Sequence, residues 1–277
     1  MPGQLLRWYD HWLKGNDTGM MEEPPANIFV RGLERYRRED EWPLARRKYT
    51  KYYLHAGPSG VVESLNDGRL SEEPSAEEPG SEGGLFLFSY PQVDWTGFSG
   101  AGTAIMDKGM LYPTKKITTF TSDSLSQDLE VIGSIVLVVY ASSDQTETEF
   151  CARLWDQLPD EAQMPGLPPA GRLLTRGWLK ASHRERDQAL SRPDRPYYTH
   201  TNPKPIEPGK IYKYEIEIWP TSNRFLRGHR IRIDLANGDS PALDFGGHYY
   251  GLKVGNDTIY HDREHPSHIM LPVIPAT

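Results

Sequence analysis

Alternation of period two constrains this chain more than any other feature. Tyr212, Tyr214, Ile216 and Ile218 fall on one side of an extended segment, with Lys213, Glu215 and Glu217 on the other. Arg230-Ile-Arg-Ile-Asp-Leu235 repeats the pattern. Successive side chains of a strand point to opposite faces, so such a segment buries one face and wets the other. Strands are expected near residues 27–31, 51–55, 85–90, 116–121, 129–142, 148–155, 173–181, 211–219, 230–236, 257–260 and 269–274. The run from Ile135 to Ala141 is apolar almost throughout and suits a strand buried on both faces. Gly and Pro supply 25 and 23 of the 277 residues, a turn-rich composition that argues against a helical bundle. No helical period interleaves with the strands. The expected fold class is therefore all-β, a jelly-roll β-sandwich.

One helix stands apart. Leu5, Trp8, Tyr9, Trp12 and Leu13 recur at three- and four-residue steps before Lys14-Gly-Asn-Asp17 stops the pattern. A single face then carries two tryptophans, a tyrosine and two leucines, with little of its own chain to pack upon. These five residues are the candidate domain interface. Left wet, each forfeits roughly 1.5–3 kcal/mol relative to burial.

Three segments interrupt the strands. Ser71–Gly84 holds five glutamates and no hydrophobe larger than alanine, and reads as a solvated loop. Pro159–Gly171 contains four prolines and is expected to be a long hairpin connection. His183–Pro208 is polar and proline-rich and is expected to cross the sandwich surface.

Composition narrows the function. A formal charge of −7 disfavours a polyanion-binding role. The stretch Arg31–Lys51 does interleave basic residues with Tyr36, Trp42 and Tyr49, but acids are interspersed and no single-strand-binding motif appears, so no nucleic-acid partner is expected. No stretch approaches the ~20 apolar residues of a spanning helix, and no membrane partner is expected. The opening Met-Pro-Gly-Gln-Leu-Leu-Arg-Trp lacks the pattern of a secretory signal, so a cytoplasmic protein is expected. The single cysteine, Cys151, lies in an apolar run and reads as a buried inert thiol, which excludes a disulfide framework.

The chemistry-bearing residues are sparse. Gly97-Phe-Ser99-Gly-Ala101 approximates a nucleophile elbow but lacks the second flanking glycine and the following helix, so Ser99 reads as a loop serine. His261, His265 and His268 invite a metal site, yet Pro266 disfavours a helix just before it and no Glu-x-x-His pattern accompanies them. They read as a structural cluster. No cofactor, no metal and no catalytic residue is expected. Tryptophans 155, 178 and 219 lie inside strand patterns and read as core, although exposed aromatics on a jelly roll suit a carbohydrate-binding module.

Five segments carry a family resemblance: Arg7-Trp-Tyr-Asp-His-Trp-Leu-Lys-Gly15; Ile28-Phe-Val-Arg-Gly32 with Glu41-Trp-Pro-Leu44; Arg176-Gly-Trp-Leu-Lys-Ala-Ser-His-Arg184; Ile218-Trp-Pro-Thr-Ser-Asn-Arg-Phe-Leu-Arg-Gly-His-Arg-Ile-Arg-Ile-Asp234; and Ile259-Tyr-His-Asp-Arg-Glu-His-Pro-Ser-His268 with Leu271-Pro-Val-Ile274. In this order they resemble the C-terminal region of the cocaine-esterase-like CocE/NonD serine hydrolases, which include X-Pro dipeptidyl peptidases and α-amino-acid ester hydrolases. The resemblance implies a galactose-binding-like jelly roll over residues 25–277. It also implies that residues 1–24 are the terminal helix and linker of an α/β-hydrolase domain. That domain is then the partner, with self-association through the helix as the other use of the same face. The family's Ser-Asp-His triad precedes the terminal helix, and no residue here matches a triad position. Asn237-Gly-Asp-Ser-Pro-Ala-Leu-Asp-Phe245 departs from the family's usual stretch.

Overall fold

The computed structural model describes residues 2–59, 66–79, 82–88, 106–107, 110–111, 117–162, 170–237 and 255–275. A helix α1 (Pro2–Lys14) precedes fifteen strands among these residues. They are β1 (Ala26–Val30), β2 (Arg35–Glu39), β3 (Lys48–His55), β4 (Asn66–Ser71), β5 (Glu82–Phe88), β6 (Met106–Asp107), β7 (Met110–Leu111) and β8 (Thr118–Ser122). There follow β9 (Leu129–Ser143), β10 (Glu149–Gln157), β11 (Gly171–Lys180), β12 (Tyr212–Phe225), β13 (Arg230–Ala236), β14 (Gly255–Tyr260) and β15 (His268–Ile274). The all-β expectation holds. Every expected strand has a counterpart, although the ends of two of them, at residues 89–90 and at Lys116, lie outside the described residues, as does the Gly238–Phe245 part of the divergent loop.

Eleven strands join one sheet that nearly closes on itself, in the order β11-β10-β13-β8-β4-β3-β15-β9-β14-β5, with β12 also on β9. β9 is the spine. One edge pairs with β12 from Ala141↔Tyr212 to Leu129↔Phe225. Its other edge is shared, by β14 at Tyr140–Ser143 and by β15 farther along. All ladders of this sheet are antiparallel except β4–β8. Closure comes where β11 returns against β12. A Cβ on Gly177 would stand 2.8 Å from the Glu217 carbonyl carbon and 2.9 Å from Ile218 Cα, and nearer still to the Glu217 oxygen. Only a residue without a side chain fits that approach.

The alternation builds the core. Tyr214, Ile216 and Ile218 of β12 turn inward against Ile135, Leu137 and Val139 of β9, with Phe150, Leu154, Ile231, Ile233, Ile269 and Leu271 in the same cluster. A bulge at Trp219-Pro220 then gives β12 one residue more than β9. The inward parity switches from even to odd, so Thr221, Asn223 and Phe225 are the buried ones, while Trp219, before the switch, continues the outward row of Lys213, Glu215 and Glu217. β12 consequently continues six residues past the Trp219 end that the sequence indicates, because Pro220 sits at the bulge rather than ending the strand.

A smaller cluster of Val30, Leu44, Ile132 and Ile274 lies under the β1–β2 hairpin, on the opposite face of β9. β2 is absent from the sequence expectation because Arg35-Tyr-Arg-Arg-Glu39 reads as a charge run. Its inward residues are ion-paired instead. Glu39 accepts from Arg37 at 2.6 Å and from Arg46 at 2.8 Å, and Arg37 also reaches Glu130 at 2.7 Å. The Arg46 and Arg37 guanidinium groups together hold the Glu39 carboxyl below its ordinary range.

Two loop expectations need correction or detail. The acidic segment after β4 is docked rather than merely solvated: Ser75 is buried, Tyr52 donates to Glu72 at 3.1 Å, and Ala56 N–H donates to Glu77 at 3.0 Å. Its last residues, from Glu82, enter β5. The 183–208 segment does cross the sheet surface, held over the outward side of β12 by Arg195–Glu217 at 3.1 Å and by an Arg186–Glu215 pair.

Candidate docking site

α1 forms for local reasons. Pro2 opens it, where a missing N–H costs nothing. Asp10 and Lys14 pair at 2.6 Å one turn apart, and Gly15 closes the end in the left-handed conformation with its N–H donating to the His11 carbonyl at 3.1 Å. Arg7 ties the helix to the linker, donating to Thr18 O at 2.9 Å and pairing with Glu23 at 2.9 Å. The helix thus brings Leu5, Trp8, Tyr9, Trp12 and Leu13 onto one side, with the Trp8 and Trp12 rings 5.8 Å apart. All five are at least half exposed, Leu13 at 76%. Leu6 is exposed beside them, a residue the three-and-four spacing left out. The chain builds a helix with a strongly apolar side and gives that side nothing among the described residues to cover it.

The other candidates resolve differently. The three histidines have separate partners: His261 Nδ1 lies 2.8 Å from Glu77 Oε2, His265 Nδ1 is 3.1 Å from Asp262, and His268 Nδ1 donates to Pro266 O at 2.7 Å. Burial pushes His268 toward the neutral form. Among the described residues no group of three or more metal-ligating side chains gathers. Ser99 lies outside the described residues. Cys151 is buried, as its apolar neighbours indicate.

Trp178 and Trp219 are corrections. Neither is core: they stand exposed across the β11–β12 seam, rings 5.6 Å apart and nearly perpendicular, with Arg176 over the Trp178 ring. Trp219 continues the outward row of Lys213, Glu215 and Glu217. Trp155 does pack, beneath Arg232 at 4.7 Å.

Sequence reasoning also missed the polar groups inside. On the outer side of β10 and β13, Arg153, Arg232 and Asp234 are buried, and burial lowers the Arg153 pKa to about 10. Thr119 donates to Asp234 at 3.1 Å. At the end of β13, Asn237 donates to the buried Asp257 at 2.6 Å, and the Thr148 hydroxyl donates to the same carboxylate. Burial nonetheless raises the Asp257 pKa. An open cleft of about 680 Å³ beside β3 and β4 is lined by Tyr52, His55, Arg69, Glu72, Glu77 and Asp123. Of its carboxylates, Glu72 and Glu77 are engaged as above and Asp123 with Arg69 at 3.3 Å. The Ser71 hydroxyl lies 2.9 Å from His55 Nε2 in this cleft, but the same nitrogen faces the Glu73 carbonyl at 3.1 Å; a ring nitrogen that donates to a carbonyl has no lone pair there to take the serine proton.

Comparison with known proteins gives a consistent picture. The X-Pro dipeptidyl-peptidase C-terminal non-catalytic domain matches residues 18–270. A cocaine esterase of Rhodococcus sp. is 28% identical over 282 residues, covering 96% of this chain and 45% of its own. A CocE/NonD family hydrolase from Staphylococcus aureus shares the fold at TM-score 0.70 and 17% identity, over 99% of this chain and 46% of that one. An aminopeptidase from a marine-sediment Thaumarchaeota archaeon does so at 0.71 and 19%, over 98% and 44%. The chain spans less than half the length of each. Among the described residues no helix is long and apolar enough to cross a membrane.

Proposed function

The chain belongs to the family of X-Pro dipeptidyl-peptidase C-terminal non-catalytic domains, and from that premise we propose that it scaffolds an α/β-hydrolase domain of a CocE/NonD-type serine hydrolase, meeting it through α1. The observation that carries this reading is the position of the exposed stripe. The family match begins at residue 18, whereas Leu5, Trp8, Tyr9, Trp12 and Leu13 all precede it. The helix is thus the end of the preceding domain, residues 1–24 are that domain's last helix and linker, and residues 25–277 are the accessory domain. In such an enzyme the serine attacks a carbonyl and a histidine carries the proton. Ester, amide and X-Pro substrates all fit that chemistry.

Fluorophosphonate labelling of the purified chain, alongside p-nitrophenyl acetate turnover, tests the non-catalytic role. No label and background turnover are expected. Stoichiometric label on one serine, Ser99 above all, would overturn it. Self-association through the same α1 face is the competing use of that surface, and sedimentation velocity separates the two: a monodisperse monomer leaves the face to a different partner.

A second reading, a carbohydrate-binding module, is favoured by one observation, the exposed Trp178–Trp219 pair with Arg176 beside it. Rings at 75° cannot both stack on one sugar face, which ranks this reading second. Retention on immobilised polysaccharide that vanishes with Trp219→Ala would restore it.

A further inference from the structure

We propose that the outward face of the β1–β2 hairpin is a second docking surface for the same hydrolase domain, an aromatic pair with the exposed Arg38 guanidinium on the same face that fits an apolar patch bearing a carboxylate. This rests on the α1 reading and extends it to a different element. Ten of the fourteen large hydrophobic side chains that stand exposed among the described residues lie between Leu5 and Trp42. Six of these are on α1, and the others are Met21, Phe29, Tyr36 and Trp42. Exposed apolar area is thus concentrated in one stretch of sequence, which marks a contact surface rather than the scatter found on any protein.

The hairpin shows why the exposure is not accidental. Ile28 and Val30 already face the domain's own small core. The other side of the strand pair has water as its default neighbour, where polar residues belong. Instead Phe29 and Tyr36 sit directly opposite each other in register, rings 5.1 Å apart, 39% and 63% exposed. The charges divide in the same way. Arg37 and Arg46 are spent on Glu39 and Glu130, whereas Arg38, which shares the outward face with Phe29 and Tyr36, is exposed and makes no ion pair among the described residues. Aromatics with unpaired arginine are the composition of the energetic centre of interfaces, and the Arg38 charge calls for a carboxylate on the other side.

The occupant follows from lengths. More than half of each compared relative lies outside the match. The hairpin begins at Ala26, eleven residues after Gly15. At ~3.3–3.6 Å per residue that linker spans at most about 40 Å, so a domain ending in α1 is tethered within reach of the hairpin.

The test is a fusion carrying the part of the Rhodococcus cocaine esterase that precedes its match ahead of this chain, compared with this chain alone by hydroxyl-radical footprinting. Oxidation of Phe29 and Tyr36 should fall at least ~5-fold on fusion, together with that of Trp8 and Trp12. Protection of Trp8 and Trp12 without Phe29 and Tyr36 would overturn the hairpin surface and leave the α1 reading intact. Protection of none of the four would bring down both. Protection of Phe29 and Tyr36 in the chain alone, rising with concentration, would assign the face to a second copy and overturn the proposal. In a second measurement, Phe29→Ser with Tyr36→Ser should lower the melting temperature of the fusion by several degrees and leave that of the chain alone unmoved. Equal losses in both would mean the pair serves only the hairpin itself.

Discussion

Gly177→Ala probes the closure of the sheet at its tightest point. The added Cβ would stand 2.8 Å from the Glu217 carbonyl carbon and 2.9 Å from Ile218 Cα. Carbon atoms rest at about 3.5–4.0 Å, so β11 and β12 must separate by about 1 Å. Both offending neighbours are backbone and cannot rotate away. Overpacking of this kind costs typically ~1–3 kcal/mol, and this site belongs at the upper end. Against it stands the ~0.4–1 kcal/mol by which Gly→Ala stiffens the unfolded chain. A net loss of about 2 kcal/mol is expected, which for a domain of this size lowers the melting temperature by ~4–8 °C. Urea titration reads the loss directly, and amide exchange locates it: β11 amides should exchange faster while those of β9, the spine, hold. Gly209→Ala, at φ +78 with nothing within 4 Å, separates backbone strain from contact. If Gly177→Ala unfolds within ~0.5 kcal/mol of the parent, the seam is wider than described and the sheet is open there.

Three further outcomes are expected. Burial raises the Asp257 pKa, so the folded state holds that proton more tightly than the unfolded. The group's stabilising contribution is full below the unfolded carboxylate value and is lost as pH rises through the folded one. Asp257→Asn should therefore improve relative to the parent as pH rises above the unfolded carboxylate value, read from urea midpoints; a constant difference would place the carboxylate in a wetter site. Cys151, 2% exposed, should resist Ellman's reagent in the native chain and react fully in denaturant, and rapid native reaction would contradict the packing of β10. Finally, Trp8→Ser with Trp12→Ser should reduce binding of an anilinonaphthalene dye and any self-association, with the cooperative melt of the β domain unchanged. A matching drop in that melt would mean α1 packs on this domain after all.

The strands were legible because they are half-buried: the alternation at 212–218 and 230–235 is the direct imprint of one wet and one dry face. Where the inward face is itself polar, the imprint disappears. Arg35–Glu39 reads as a charge run because its inward positions are satisfied by Arg37–Glu39–Glu130 pairing, a long-range arrangement no local window contains. Asn66-Asp-Gly-Arg-Leu-Ser71 is equally opaque, being a β4 strand that relies on its ladders with β3 and parallel β8 rather than on its own propensity. Trp219 misled because its size was weighed over its position: the alternation at 212–218 already places it in the outward row of Lys213, Glu215 and Glu217. The α1 stripe was plain from spacing alone, since a helix records its apolar face at fixed intervals whether or not anything covers it. The hairpin's outward aromatics were not, because Phe29 and Tyr36 become a pair only once the register is known.

The place of β15 sets a schedule for the domain's birth. It lies between β3 and β9, opposite Thr50 at Leu271. A ribosome makes these partners roughly 220 residues apart, some 10–45 s at ~5–20 residues per second. Throughout that interval β3, and from its own completion at Ser143 β9, presents an unsatisfied edge to its surroundings or to a chaperone, and no amount of early folding can seal the gap. Deleting the β15 segment would not trim a margin but remove the middle plank, leaving two half-sheets with matching raw edges and every inducement to borrow the missing strand from a neighbour.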